Sequence, residues 1–173
     1  MKTVLLIICV LFINVLGAQN EPNSNLEKFT SVDSIVNKLY SVISGEAGES
    51  RNWDLMRQLF TLDAKLIPAR RNGEGIVEAT YLSCEDYIER SGSWLEKNGF
   101  FEYEINRVEE TFGDMTHLFS TYASYKTKAD KTPFMRGINS IQLMNDGVRY
   151  WIINIYWMGE TAENPLPEKY LPD

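Results

Sequence analysis

Phe101-Glu102-Tyr103-Glu104-Ile105-Asn106 alternates apolar and polar side chains, and the reading of the whole chain turns on this stretch. Successive side chains of an extended backbone point to opposite faces, so the alternation is that of a half-buried strand. Upstream of it the apolar spacing is helical. Ser31 can cap a helix in which Val32, Ile35, Val36, Leu39, Tyr40 and Ile43 share a face, with Gly45 and Gly48 beyond its end. Asn52 can cap a short second helix carrying Trp53, Met56, Leu59 and Phe60 on one side. Ser83 opens a third, with Asp86 in the capping-box position, Leu82 and Tyr87 as a hydrophobic staple, and Asn98-Gly99 as the stop. Between the second and third helices, residues 63–68 read as a short strand. Pro68 confines it to a sheet edge, and residues 69–78 form a hairpin or exposed loop.

Downstream of the alternating stretch the pattern stays strand-like. Gly113-Asp114 makes a turn and residues 115–126 run back; after a loop at 129–133, residues 134–144 and 148–158 form a second hairpin around Asn145-Asp146-Gly147. About three helices followed by a meander of four long strands predict an α+β fold, with the helices packed on one face of a strongly curved antiparallel sheet.

The length of 173 residues suits one domain and a short appendage. Seventeen basic residues against 24 acidic ones, a net charge of -7, oppose a nucleic-acid partner, whose phosphates call for a basic face, and oppose an anionic membrane surface. One histidine and two cysteines cannot build the usual zinc site, and neither a metal nor a cofactor is expected. Lys2, the apolar run 4–13 and the small residues of 15–18 form a secretory signal peptide over residues 1–18. The run is too short to span a bilayer, so no membrane association is expected after cleavage. Residues 19–30 read as a flexible leader, 31–159 as the domain, and 160–173 as an extended tail with Pro165, Pro167 and Pro172. Export to a periplasm or medium is expected. The absence of Asn-x-Ser/Thr acceptors favours a bacterial source.

The stretch Asn52-Trp53-Asp54-Leu55-Met56-Arg57-Gln58-Leu59-Phe60-Thr61-Leu62-Asp63-Ala64, between an amphipathic helix and a strand, resembles the opening of nuclear transport factor 2-like domains. The late pair Arg136-Gly137-Ile138-Asn139-Ser140-Ile141-Gln142-Leu143 and Asp146-Gly147-Val148-Arg149-Tyr150-Trp151-Ile152-Ile153 resembles their end. The resemblance covers residues 31–159 and implies the cone-shaped α+β fold of that superfamily, also called cystatin-like and including SnoaL-like proteins. Enzymes of the superfamily use Asp, His and Tyr inside the cone. No matching pair of Asp and His can be placed on this chain's inner face.

Strand register decides which side chains face the helices. A three-residue turn at 145–147, with Met144 facing Val148, puts Gly137, Asn139, Ile141, Leu143, Trp151, Ile153, Ile155 and Trp157 inside. A two-residue turn at Gly113-Asp114 adds Phe101, Tyr103, Ile105, Arg107, Leu118, Ser120 and Tyr122, and sends Glu102, Glu104, Asn106, Glu110, His117 and Phe119 to the outer face. A one-residue bulge would reverse such an assignment. The expected ligand-binding set is Tyr103, Arg107, Tyr122, Asn139 and Trp151, facing a small apolar or weakly acidic molecule. Asn139 is equally compatible with a backbone-satisfied structural role. His117 reads as the ion-pair partner of Glu110 more than as a catalyst, and Cys84 as a packing residue.

Three functions fit these residues: an exported small-molecule-binding domain with an apolar pocket, a lyase or isomerase doing acid/base proton transfer, and a sheet-mediated interaction module. Phe119, Tyr150, Ile152 and Tyr156 are expected on the open sheet face, where a homodimer would form.

Overall fold

The computed structural model describes residues 29–172; the expected signal peptide and most of the expected leader lie outside them. The elements run α1 (Val32–Ile43), α2 (Trp53–Arg57), β1 (Phe60–Arg71), β2 (Val77–Ala79), α3 (Cys84–Asn98), β3 (Phe101–Phe112), β4 (Met115–Tyr125), β5 (Met135–Asn145) and β6 (Tyr150–Gly159), with a 3-10 turn at Glu168–Tyr170. This is the α+β architecture expected. Three helices pack on one six-stranded sheet of order β2-β1-β6-β5-β4-β3.

The helix signals act where the sequence puts them. Ser31 accepts from Ser34 N and Ser34 returns the bond; Ser83 and Asp86 make the same reciprocal box at α3; Asn52 accepts from Leu55 N. Gly99 ends α3 at φ 69°, a conformation that favours glycine, and a Cβ there would also meet the Lys126 carbonyl at 2.8 Å. The buried faces of α1 (Ile35, Val36, Leu39, Ile43) and of the strands (Leu118, Ile141, Leu143, Ile152) form one core. Its boundary reaches back past the domain start at 31, because Phe29 is buried, accepts at its carbonyl from Tyr150 N at 2.8 Å, and lies under the Arg149 guanidinium.

Arg51 joins the helical layer together from inside. Its Nε donates to the Ile43 carbonyl at 3.0 Å, and Nη2 donates to those of Gly45 (2.7 Å) and Leu95 (3.1 Å), so a single buried guanidinium ties the end of α1 to α3.

Three features depart from the sequence expectation. First, β1 is not an edge strand: it runs parallel to β6, with Leu66 beside Ile155 and Pro68 beside Trp157, while β2 supplies the edge. Pro68 is tolerated because its nitrogen, which has no hydrogen to donate, faces the β2 side beyond the end of that ladder, as its carbonyl, accepting from Thr80 N at 3.0 Å, shows. Second, β3 carries a bulge. The ladder pairs Arg107 with Ser120 and Asn106 with Thr121, skips Ile105, and resumes with Glu104 opposite Tyr122 and Glu102 opposite Ser124. Third, the last hairpin pairs Asn145 with Tyr150, so Trp151 turns outward and Ile152 inward. A second irregularity beside Gln142 restores the expected faces of Ile155 and Trp157.

The tail folds back across the outer face of the sheet. Tyr170 stacks on Phe119 at 4.9 Å between ring centroids, and its carbonyl accepts from Thr121 Oγ1 at 2.7 Å. Of the four residues expected on an open face, Phe119 is therefore covered by the chain's own tail, Ile152 is in the core, and Tyr150 packs against the core; Tyr156 remains exposed. No helix among the described residues is long and apolar enough to cross a membrane.

Candidate functional site

A cavity of about 230 Å³ lies between the helices and the concave sheet face. Leu39, Ile43, Met56, Leu66, Leu95 and Ile155 make most of its wall, with Trp94, Trp157 and Phe100 as aromatic panels. Polar groups gather on one side: Tyr40 from α1, Glu102 from β3, Tyr122 from β4 and Asn139 from β5.

The β3 bulge puts Glu102 there. One extra residue in a strand moves every side chain beyond it to the opposite face, so Glu102 and Glu104 enter the layer of Tyr122 and Ser124 while Tyr103 leaves it. Glu102 is buried at 9% exposure and pairs with no cation among the described residues; Ser124 Oγ donates to its Oε2 at 2.8 Å. Loss of hydration disfavours the charged form and pushes the carboxyl up to about 7, against the lowering influence of Ser124 and Asn139. A carboxyl balanced between its acid and base forms near neutrality is suited to exchanging protons with a bound molecule.

Asn139 occupies the position expected of it. Its Nδ2 donates to the Tyr40 hydroxyl at 3.0 Å, and that hydroxyl lies 2.6 Å from Ser120 Oγ. The hydrogen-bond partner of Asn139 is thus a side chain of the cavity wall. Tyr122 fits beside it because residue 137 is glycine: a Cβ there would stand 2.5 Å from the Tyr122 hydroxyl. Burial raises the pKa of Tyr40, Tyr87 and Tyr122 above the ordinary phenol value, with the nearby Glu102 adding to the effect in each.

The other expected ligand-binding residues are elsewhere. Tyr103 is 46% exposed and packs on Tyr125, because the bulge reverses its face. Trp151 stands outside; its Nε1 donates to Asp146 Oδ2 at 2.7 Å and Arg149 stacks on its ring, since the four-residue loop moves the partner of Met144 from Val148 to Trp151, an odd shift that reverses the face. Arg107 is on the inner face but does not line the cavity: it clasps Glu104 at 2.6 Å, Asp33 at 2.8 Å and Glu109 at 3.4 Å. His117 sits opposite Glu110, as the register predicts, yet its Nε2 pairs with Ser140 Oγ at 2.9 Å. Burial, with Glu85 adding to it, pushes the Cys84 thiol up to about 11. No set of three or more metal-ligating side chains is grouped among the described residues.

Sequence reasoning missed Glu102, Glu104 and Tyr40 as site residues. Tyr40 was legible as an inward position of α1, and its position opposite the strand carrying Asn139 was the missing step. For Glu102 and Glu104 the period-two pattern pointed the wrong way. Nothing in the residues marks Ile105 as the skipped position.

The architecture matches solved structures at low identity. A cystatin-like protein of unknown function from Nostoc punctiforme superposes with a TM-score of 0.56 at 10% identity, covering 78% of this chain and 96% of that one. The chain has the nuclear transport factor 2-like, or cystatin-like, fold. The beta subunit of a putative aromatic-ring-hydroxylating dioxygenase from Novosphingobium aromaticivorans gives 0.55 at 13% identity, with 78% and 94% covered. LinA gives 0.51 at 12%, with 82% and 93% covered. No protein-family model matches the sequence, and no curated protein matches it.

Proposed function

We propose that the protein binds a small, mostly apolar molecule in the cone and moves a proton on it, with Glu102 as the acid/base group. One observation carries the reading: a buried carboxyl without a cationic partner among the described residues, raised to about 7, on the wall of a mostly apolar cavity. An ionised carboxylate buried without a cation is costly, and among the described residues Glu102 has no salt bridge. The cavity size limits the ligand. A dry apolar cavity of about 150 Å³ holds benzene, so about 230 Å³ suits a single-ring compound with one polar function directed at Asn139 and Glu102.

Deuterium uptake tests this reading. With a single-ring ketone such as cyclohexenone in D2O, the protein should accelerate exchange at the acidic C–H positions, with the rate rising through about pH 7 as Glu102 becomes the base. Glu102→Gln should slow it by about 100-fold or more. Equal rates in the two proteins would remove Glu102 from the chemistry. Binding without exchange would favour a carrier, a reading supported by the predominantly apolar wall.

Export belongs to the same proposal and is supported by Lys2, the apolar run 4–13 and the small residues 15–18.

A further inference from the structure

A line of hydrogen bonds leads from the cavity wall to the protein surface. Asn139 Nδ2 donates to the Tyr40 hydroxyl at 3.0 Å, the Tyr40 and Ser120 hydroxyls are 2.6 Å apart, and Ser120 donates to Glu104 Oε1 at 2.5 Å. Glu104 is clasped by Arg107, whose Nη2 donates to Oε2 at 2.6 Å and whose Nε donates to both oxygens. Tyr40, Ser120 and Asn139 are buried; Glu104 lines an open groove with Asn37, Ser41 and Lys128, and Tyr40 and Glu102 stand between that groove and the cavity.

Proton counting gives this line a direction. A hydroxyl has one hydrogen to donate. The carboxylate of Glu104 accepts, so the Ser120 hydrogen points to it. The Tyr40 hydrogen must then point to Ser120, leaving the Tyr40 oxygen as the acceptor from Asn139. Every hydrogen in the line is aimed away from the cavity and toward the groove.

We infer that Tyr40, Ser120 and Glu104 form a relay that carries a proton from the cavity to solvent, with Glu104 as its outer terminus. The inference rests on the proton-transfer reading of the cavity. In one passage, a proton that Glu102 has taken from the bound molecule and released within the cavity bonds to the Tyr40 oxygen as the original Tyr40 hydrogen passes to Ser120. The original Ser120 hydrogen passes to Glu104 Oε1, and Glu104 releases it to water in the groove. Each hydroxyl breaks one O–H bond and forms one, and the net change is one proton moved outward. Arg107 is a positioning residue here: with Asp33 and Glu109 on its other side, it holds the Glu104 carboxylate against Ser120.

The test needs no ligand. With tyrosine labelled at Cζ in mixed H2O and D2O, slow hydroxyl exchange gives separate O–H and O–D resonances and fast exchange gives one. The relay predicts a single averaged Tyr40 line in the wild type although the hydroxyl is buried. Ser120→Ala removes the middle hydroxyl, and Glu104→Gln keeps an acceptor for Ser120 but cannot take up the proton. Each should slow Tyr40 exchange by about tenfold or more, because exchange must then wait for local opening. Ser120→Thr should restore it. Resolved lines in the wild type, unchanged or faster exchange in the two variants, or equal slowing at the partly buried Tyr87 and the buried Tyr122 would each overturn the relay. Deuterium uptake by the ketone is read separately, so loss of that activity with an intact relay would indict the Glu102 reading alone.

Discussion

Ser124 Oγ donates to Glu102 Oε2 across the β3–β4 ladder, and the two face each other only because Ile105 is skipped in the pairing. This bond satisfies one oxygen of a carboxyl that no cation among the described residues neutralises. The stability of the protein should therefore depend on its ionisation.

The sign follows from the direction of the shift. Folded Glu102 holds its proton up to about pH 7, against an ordinary value of 4.5, so between these values the folded chain binds more protons than the unfolded one. Stability should fall as pH rises through that window, by about 3 kcal/mol at the most, and level off above it. Glu102→Gln keeps an acceptor for Ser124 and cannot ionise. It should match the wild type near pH 4 and exceed it by about 1 to 3 kcal/mol at pH 8, as read by urea denaturation at both values. A Gln variant with the same pH dependence as the wild type would show that another group is responsible.

Asn139→Leu should raise the Glu102 pKa above its wild-type value, since the amide favours the charged form. It should also cost about 1 to 3 kcal/mol by removing the donor to Tyr40. Carboxyl-carbon NMR gives the first and thermal unfolding the second. A midpoint that stays in place would detach Asn139 from the carboxyl.

Gly137→Ala introduces a methyl group against the Tyr122 hydroxyl and the Met158 carbonyl. Overpacking of this kind costs about 1 to 3 kcal/mol, and Tyr122 should be displaced within the cavity. Loss of binding of a fluorescent apolar probe together with a lower urea midpoint is the expected pair of results.

Arg51→Met should be the most damaging of these changes. It strips donors from the carbonyls of Ile43, Gly45 and Leu95, each costing about 1 to 3 kcal/mol when left unpaired in the interior. Arg51→Lys should rescue little, because an ammonium cannot reach several carbonyls with the geometry of a planar fork. Urea midpoints of the two variants that differ widely would contradict that geometry.

The export proposal predicts a mature N-terminus near Ala18 or Gln19. Intact-mass measurement of the protein recovered from periplasm or medium checks it, and a secreted chain that still begins at Met1 would count against it.

The helices, their caps and the change of period near residue 100 were legible in the sequence, because each depends on neighbours within a turn or two: Ser31 with Ser34, Ser83 with Asp86, Asn52 with Leu55. The inward positions of Asn139, Ile141, Leu143 and Tyr122 were legible too, from strand alternation. Tertiary structure alone decided the rest. The parallel contact of β1 with β6 joins residues about ninety positions apart, and no local pattern encodes it. The bulge at Ile105 exists only in the pairing of β3 with β4, and a single skipped residue reverses a whole strand segment. That one event exchanged Tyr103 for Glu102 and brought a carboxyl into the cone.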